Sequence, residues 1–400
     1  MANDLTFNQL ATILNSIQSQ ATGVAALTAT DTSSFITGGQ EALKAGYDVL
    51  STAISQVLSK TIFSVRPYRA KLAGLQMSEQ RYGNVTRKLS AIDKPFNADP
   101  SIDATLMVDG QSIDPFILDK PLVQQENFYG TEVFTKQLTV YDWQLDQAFQ
   151  GPDQFASFIS MMMTNASDMM EQAREDVRRA TIVNLIAAVI GNYTSQNIKL
   201  VTEWNAYLGL TGQNVKTWAG IKGNNADYQQ FMRFAYARIS TIAAMLTERS
   251  KQFHANIGTK YIMRHTPYDK QRLYMLGQER YEMEAQVLAD AFHDNYLKLA
   301  DVETVNFWQA IQSPDSINVT PSYLVTASGQ NQGKIQKGSA VNKSGIFAVL
   351  MDEDAAGVVQ RNERASTVYN GRGFYTNYFW AFAEQYYNSF TENCVVFTLD

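Results

Sequence analysis

The feature that most constrains this chain is a run from Pro152 to Ile190 that contains no glycine and no further proline. Gly151-Pro152 is a helix-start pair, because the proline ring presets the backbone for a first turn. Gly191 stands where a helix is commonly capped. At about 1.5 Å per residue the run makes a helix of roughly 58 Å. Phe155, Phe158, Ile159, Met162, Ala166, Met169, Ala173, Val177 and Ala180 fall on one apolar stripe. Glu171, Arg174, Glu175, Arg178 and Arg179 are expected on the outer face, paired three and four residues apart. Met161-Met162-Met163 with Met169-Met170 fits an adaptable binding surface, but at helical spacing methionines are more often plain core. There is no heptad regularity, so the run is not a coiled coil. It reads as the backbone of an elongated subunit.

The segments before it are less regular. Leu5, Leu10, Ile13, Leu14 and Ile17 repeat at helical spacing, Thr28 to Gly39 reads as a flexible arm, and Gln40 to Lys60 carries a second helical stripe. From Arg81 to Tyr141 the period changes to two, with alternation over Gly83 to Ile92 and Gly130 to Tyr141. Between these two stretches, Asp93 to Pro121 holds four of the nine prolines. Two strands with so long a connection cannot bury a core of their own. They are expected either as an extended arm packed on another copy or domain, or as a strand pair inserted in a larger sheet.

After Gly191, Tyr193 to Asn225 reads as loops and short strands, and Asp227 to Phe253 as a helix. Gly258 to Met263 looks like a strand, and a turn at His265-Thr266-Pro267-Tyr268 leads to helices over Asp269 to Leu299. Asn318 to Val325 and Ile346 to Met351 are short β-runs. The aromatic stretch Tyr375 to Phe390 ends in a final strand at Cys394 to Leu399. The fold class is α+β, with no regular strand–helix–strand rhythm and no internal repeat.

Composition narrows the function. Net charge is −6 and charged residues are only 18% of the 400, so there is no basic excess for a nucleic-acid footprint. One cysteine, Cys394, excludes a disulfide framework, and three histidines leave little for metal chemistry. Met1 to Gln20 has no cationic start or continuous apolar core, so it is not a signal peptide. No phosphate-binding loop, nucleophile elbow or metal-ligand spacing occurs. The catalytic, cofactor-binding and metal-binding residues expected are therefore none. Asp352-Glu353-Asp354 is the densest acidic cluster, and it reads as capping a helix over Ala355 to Val359 rather than as a cation site. Cys394 reads as a buried inert thiol. A stacking groove for polysaccharide in the aromatic C-terminal stretch remains a weaker alternative.

The order of elements resembles the major capsid protein of tailed double-stranded DNA bacteriophages, the Hong Kong-phage-type shell fold. The stretches that carry the resemblance are Tyr129-Gly130-Thr131 through Val140 leading to Pro152, Ala348 to Gly357, and Asn370 to Tyr375 followed by Glu392 to Val396. The resemblance implies an N-terminal arm and leading helix over 1–62 and a peripheral domain starting at 63–80. It implies an extended β-hairpin over 81–141, a peripheral domain over 142–260 with its spine helix at 152–190, an axial domain over 261–385, and a C-terminal strand over 386–400 that returns to the peripheral domain. The candidate contacts between subunits are Lys88, Asp93, Lys94, Phe96, Phe116, Phe128 and Tyr129 on the hairpin, with Glu171, Arg174 and Arg178 on the spine helix. No motif assigns a crosslinking role to Lys88 or Lys94.

The implied function is a self-assembling subunit of an icosahedral shell that encloses double-stranded DNA without sequence-specific binding. Its partners would be copies of itself in hexamers and pentamers, a separate scaffolding protein, a portal and decoration proteins, with no membrane and no cofactor. Its place would be the virion, after assembly in the host cytoplasm. A tail-tube or layer subunit is the other structural reading.

Overall fold

The structure, a computed structural model, describes residues 7–22, 32–49, 52–54, 68–78, 85–92, 116, 122–258, 261–288 and 301–400. The chain opens with helices α1 (Phe7–Thr22) and α2 (Thr32–Lys44), then strands β1 (Gln76–Met77), β2 (Val85–Ala91), β3 (Val123–Tyr129) and β4 (Glu132–Tyr141). Helix α3 (Asp142–Ala148) precedes the long α4 (Pro152–Asn192). Then come β5 (Asn197–Lys199), α5 (Leu200–Tyr207), α6 (Trp218–Lys222), α7 (Asn225–Leu246), β6 (Gln271–Leu276), α8 (Gly277–Leu288) and β7 (Asp301–Val305). Short strands β8 (Ile317–Val319), β9 (Ser322–Leu324), β10 (Ile335–Lys337) and β11 (Val341–Lys343) lead to β12 (Ile346–Asp352), β13 (Ala356–Asn370), β14 (Tyr375–Asn388) and β15 (Cys394–Thr398). The fold is α+β, as the sequence indicates.

Two compact units divide the chain, and the division falls inside α4 between Arg178 and Arg179. The first takes Met1–Tyr82, Thr131–Arg178 and Val358–Gln385. Its sheet runs β1-β13-β14-β4, with β1 parallel to β13 and β4 antiparallel to β14. Leu10, Ile13, Leu14 and Ile17 bury one stripe of α1 beside Phe35 and Ala42 of α2. Phe35 and Phe155 meet edge to face at 5.6 Å, and Phe149 lies 5.3 Å from Phe155. A β-carbon at Gly39 would come within 2.9 Å of the Phe149 ring, so this helical glycine is what lets α2 approach so closely.

The second unit takes Gly83–Gly130, Arg179–Gly357 and Tyr386–Asp400. Among the described residues its main sheet runs β5-β15-β12-β6-β7. β15 is buried along its whole length and β12 over Ile346–Met351, the pattern of strands covered on both faces. Helix α7 starts at Asn224, whose side chain accepts from the Ala226 and Asp227 N–H groups. Its Phe231, Met232, Ala235, Ile239, Ile242 and Leu246 belong to one core with Leu350, Val395 and Phe397. The end of α4 is tied in by Asn184, which bonds both the N–H and the C=O of Ser322, and by the Tyr193 hydroxyl, which does the same at Leu324.

Several sequence expectations are corrected. Thr28 to Gly39 is not an arm throughout, since α2 begins at Thr32. Gly258 to Met263 contains no strand among its described residues. The segment after the Pro267 turn forms the buried strand β6 before its helix, because the edge of β12 takes up its backbone groups. Asp352-Glu353-Asp354 starts no helix: it is the turn between β12 and β13, closed by the Asp354 N–H donating to Asp352 Oδ1 at 3.0 Å. Gly191 is no cap either, as α4 continues through Asn192.

The strand pairing expected over 81–141 is also corrected. β2 pairs with β3, from Val85↔Tyr129 to Ala91↔Val123, while β4 pairs with β14 over ten residues. The connection Asp93 to Pro121 lies outside the described residues except at Phe116.

Candidate assembly surfaces

The β2–β3 ribbon is inverted relative to an ordinary half-buried strand pair. Its inward side chains are Thr86, Lys88 and Ser90 on β2 and Gln124, Glu126 and Phe128 on β3, polar except for the last. Its outward face carries Val85, Arg87, Leu89 and Ala91 on β2 and Val123, Gln125, Asn127 and Tyr129 on β3, with Leu89 at 63% exposure, Val123 at 61% and Tyr129 at 69%. Large apolar side chains thus stand in water at both ends of this face, with Arg87, Gln125 and Asn127 between them.

The polar row is held by the corner between β14 and β15. Lys88 pairs with Glu392, and its Nζ donates to Ser389 Oγ at 2.9 Å. Glu126 accepts from Ser389 Oγ at 3.0 Å and from Thr391 Oγ1 at 2.5 Å. Arg264 reaches Glu392 at 3.1 Å and donates to Ser90 Oγ at 2.7 Å and to the Thr391 carbonyl at 3.2 Å. The rings of Phe128 and Tyr387 lie 4.7 Å apart. Burial pushes the Glu392 carboxyl above its ordinary range, although Lys88 and Arg264 pull it down.

In the first unit the charged face of α4 is turned inward, contrary to expectation. Glu175 and Arg178 are buried there and Arg179 is buried in the second unit, while Met169 and Ala180 of the expected apolar stripe are exposed. Ile159, Met162 and Ala166, with Met161 and Met163, have side chains outside the described residues. The physical reason is a strap. Asp168, Glu171 and Glu175 accept from the N–H groups of Tyr68, Ala70 and Lys71, each at 3.1 Å. Arg178 donates to the carbonyls of Ala70 and Lys71 at 3.3 and 3.1 Å and also bonds Gln76. Spaced by three and four, these side chains share one helix face and satisfy a backbone segment that has no ladder of its own.

Arg174 meets Glu171 at 2.6 Å, Glu363 at 2.8 Å and Glu384 at 3.7 Å. Burial pushes Glu384 up to about 6, against the pull of Arg174 and Arg178.

Of the sequence-named contact residues, the structure therefore employs Lys88 and Phe128 at the ribbon root and Glu171, Arg174 and Arg178 inside the first unit. Tyr129 is on the ribbon's outward row, and Phe116 is 84% exposed. Asp93, Lys94 and Phe96 lie outside the described residues. Sequence reasoning missed Glu126, Arg264 and Glu392, which are far apart in the chain, and missed the outward row. The outward face carries little sequence signal, because Arg87, Gln125 and Asn127 interrupt its apolar positions.

The acidic turn is spoken for as well. Asp352 accepts from Thr266 Oγ1 at 2.7 Å, and Glu353 pairs with Lys270 at 2.5 Å and Arg272 at 3.4 Å. Among the described residues no group of three or more His, Cys, Asp or Glu could hold a metal ion, and no helix is long and apolar enough to cross a membrane. Cys394 is buried and its thiol is pushed up to about 12, which keeps it protonated and unreactive.

Comparison with known proteins bears on what such surfaces serve. A family model described as Phi29-like phage major capsid protein matches residues 11–398. Among solved structures, a chain in the capsid of Staphylococcus phage Andhra is similar at 12% identity, with 85% of this chain and 87% of that chain covered and a TM-score of 0.55. A chain in the structure of the head fiber and inner core protein of native bacteriophage P68 is similar at 10% identity, with the same two coverages and a TM-score of 0.53. At such identities the likeness speaks to the fold alone. No curated protein matches.

Proposed function

The chain belongs to the Phi29-like phage major capsid protein family, and from that premise we propose how it builds a shell. It is a structural subunit of a phage capsid. The family match across residues 11–398 is the observation that carries this conclusion. The finer reading is that copies meet as hexamers and pentamers, with the β2–β3 ribbon laying its outward row on a neighbouring copy. Such an apolar row has no use in a lone subunit and a clear one in a symmetric assembly. Phe116 and Tyr129 are contacts of this kind, and Asp93, Lys94 and Phe96 are proposed as further ones. Lys88, Phe128, Glu171, Arg174 and Arg178 act on assembly indirectly, by fixing the elements that carry the contacts.

A separate scaffolding protein, a portal and decoration proteins are the remaining partners of this reading, with assembly in the host cytoplasm. A chain with net charge −6 can surround packaged DNA without gripping it. Sedimentation and electron microscopy of the purified chain, with and without its scaffold, test the proposal. Closed shells, hexamers or pentamers are expected. A stable monomer under every condition would overturn it, and tubes or flat sheets would favour a tube or layer subunit instead.

A further inference from the structure

We infer that Lys88 and Glu126 on the ribbon, with Arg264, Ser389, Thr391 and Glu392 on the body of the second unit, form a latch that releases the ribbon while the strands of the body stay intact. The bonds described between ribbon and body here run from side chain to side chain: Lys88 to Ser389 and Glu392, Glu126 to Ser389 and Thr391, and Ser90 to Arg264. The strand ladder of the ribbon closes within itself, down to the Ile92 N–H donating to the Leu122 carbonyl at 2.9 Å. Opening the latch therefore breaks no ladder bond.

The charges are balanced on each side. The ribbon brings one cation and one carboxylate, and the body brings Arg264 and Glu392. When the latch is closed, Lys88 and Arg264 share Glu392 and Glu126 takes two hydroxyl donors, all four charges being mostly shielded from water; when it is open each is hydrated. Buried ion pairs recover little more than their desolvation costs, so the closed setting is favoured only modestly. The raised Glu392 carboxyl agrees, since its burial outweighs the attraction of two cations. The Phe128–Tyr387 ring pair adds an apolar contact of modest size. A ribbon held this way has two settings, closed on its own body or released, and its outward row moves with it.

The latch belongs to a single subunit, so it stands or falls separately from the shell. Hydrogen exchange on the full chain in solution tests it, with the assembly state followed by light scattering so that contacts with other copies are not mistaken for the latch. Lys88→Met and Glu126→Gln should each speed exchange of the β2 and β3 amides tenfold or more, because an unsupported two-stranded ribbon is marginal in water. The amides of β12 and β15 should keep their rates, and Lys88→Arg should behave as the unchanged chain. Unaltered ribbon exchange in both variants would overturn the proposal. So would parallel acceleration of β12 and β15, or loss of folding, because these side chains would then be ordinary supports of the whole unit.

Discussion

Strand β12 and the β2–β3 ribbon belong to the same unit and put their apolar side chains in opposite places. β12 buries Phe347, Ala348, Val349 and Leu350 completely. The ribbon turns Lys88 and Glu126 inward and leaves Leu89 and Val123 in water. The first arrangement gains its stability from intrachain burial. The second holds its position through polar contacts and keeps apolar area uncovered. The two elements thus differ in where their apolar side chains lie: β12 buries them on both faces, and the ribbon leaves its own on the exposed face.

The largest expected effect breaks or upholds that distinction directly. Leu350→Ala should cost about 3–4 kcal/mol of unfolding free energy, since the site is fully buried and cannot collapse around the gap. Leu89→Ala removes the same atoms and should cost under about 0.5 kcal/mol, while the yield of closed assemblies falls. Urea titration of both variants decides the matter. Equal losses at the two positions would mean that the ribbon's outward row is part of the core after all.

The next largest effect concerns charge used structurally. Arg178→Met leaves the carbonyls of Ala70 and Lys71 without their charged donor, and should destabilise the first unit by roughly 2–3 kcal/mol. Limited proteolysis at 68–71 should quicken before the rest of the chain unfolds. If cleavage there is unchanged, the strap is not what holds this segment.

What the sequence discloses follows the same division. β12, β15 and the helix over Asn225–Leu246 were legible because burial agrees with their apolar pattern, and the long helix was legible from its run free of glycine and further proline rather than from its stripe. β3 was not, because its inward positions are Gln124, Glu126 and Phe128, so its alternation reads as a polar loop. β6 was taken for helix because Gln271 and Arg272 open it without a turn residue to mark a strand, and only pairing with β12 gives its backbone groups partners. Glu171, Glu175 and Arg178 were read as a solvent face because nothing local reveals a backbone segment from about a hundred residues upstream. The latch was invisible for the same reason, since Lys88, Arg264 and Glu392 meet only in the fold.

A smaller effect is expected from Glu384, and its sign is opposite to that of most carboxylates. Its folded value of about 6 lies above its ordinary one, so its charged form is disfavoured in the folded state. Stability contributed through this group therefore rises as pH falls from about 6 toward the ordinary carboxylate range. Glu384→Gln should flatten that stretch of the profile. At pH 7 it should leave the first unit about 1 kcal/mol more stable, allowing for solvent screening and for the lost partner of Arg174. Thermal melting across pH measures both. A profile that becomes steeper, or a loss of several kcal/mol at pH 7, would make Glu384 a stabilising partner of Arg174 instead.

The smallest effect tests whether apolar exposure is also maintained at a cost in backbone strain. Phe374 sits in the turn from β13 to β14 at φ 53, in the left-handed region that non-glycine residues avoid, and 66% of it faces solvent. Asn370 Oδ1 and the Asp142 N–H hold the turn, the latter donating to the Phe374 carbonyl at 3.0 Å. Replacing the ring has two separable consequences. Phe374→Ala loses the part of the ring that is covered and keeps the strain. Phe374→Gly loses the same part and relieves the strain, which is worth about 1 kcal/mol. The glycine variant should therefore be the more stable of the two by about that amount, and should lie within about 0.5 kcal/mol of the unchanged chain. If both variants fall equally, the left-handed turn carries no strain and Phe374 is ordinary surface. If the glycine variant is the more stable by the expected margin, Phe374 joins the ribbon's outward row as an apolar side chain kept in water at the expense of the lone subunit.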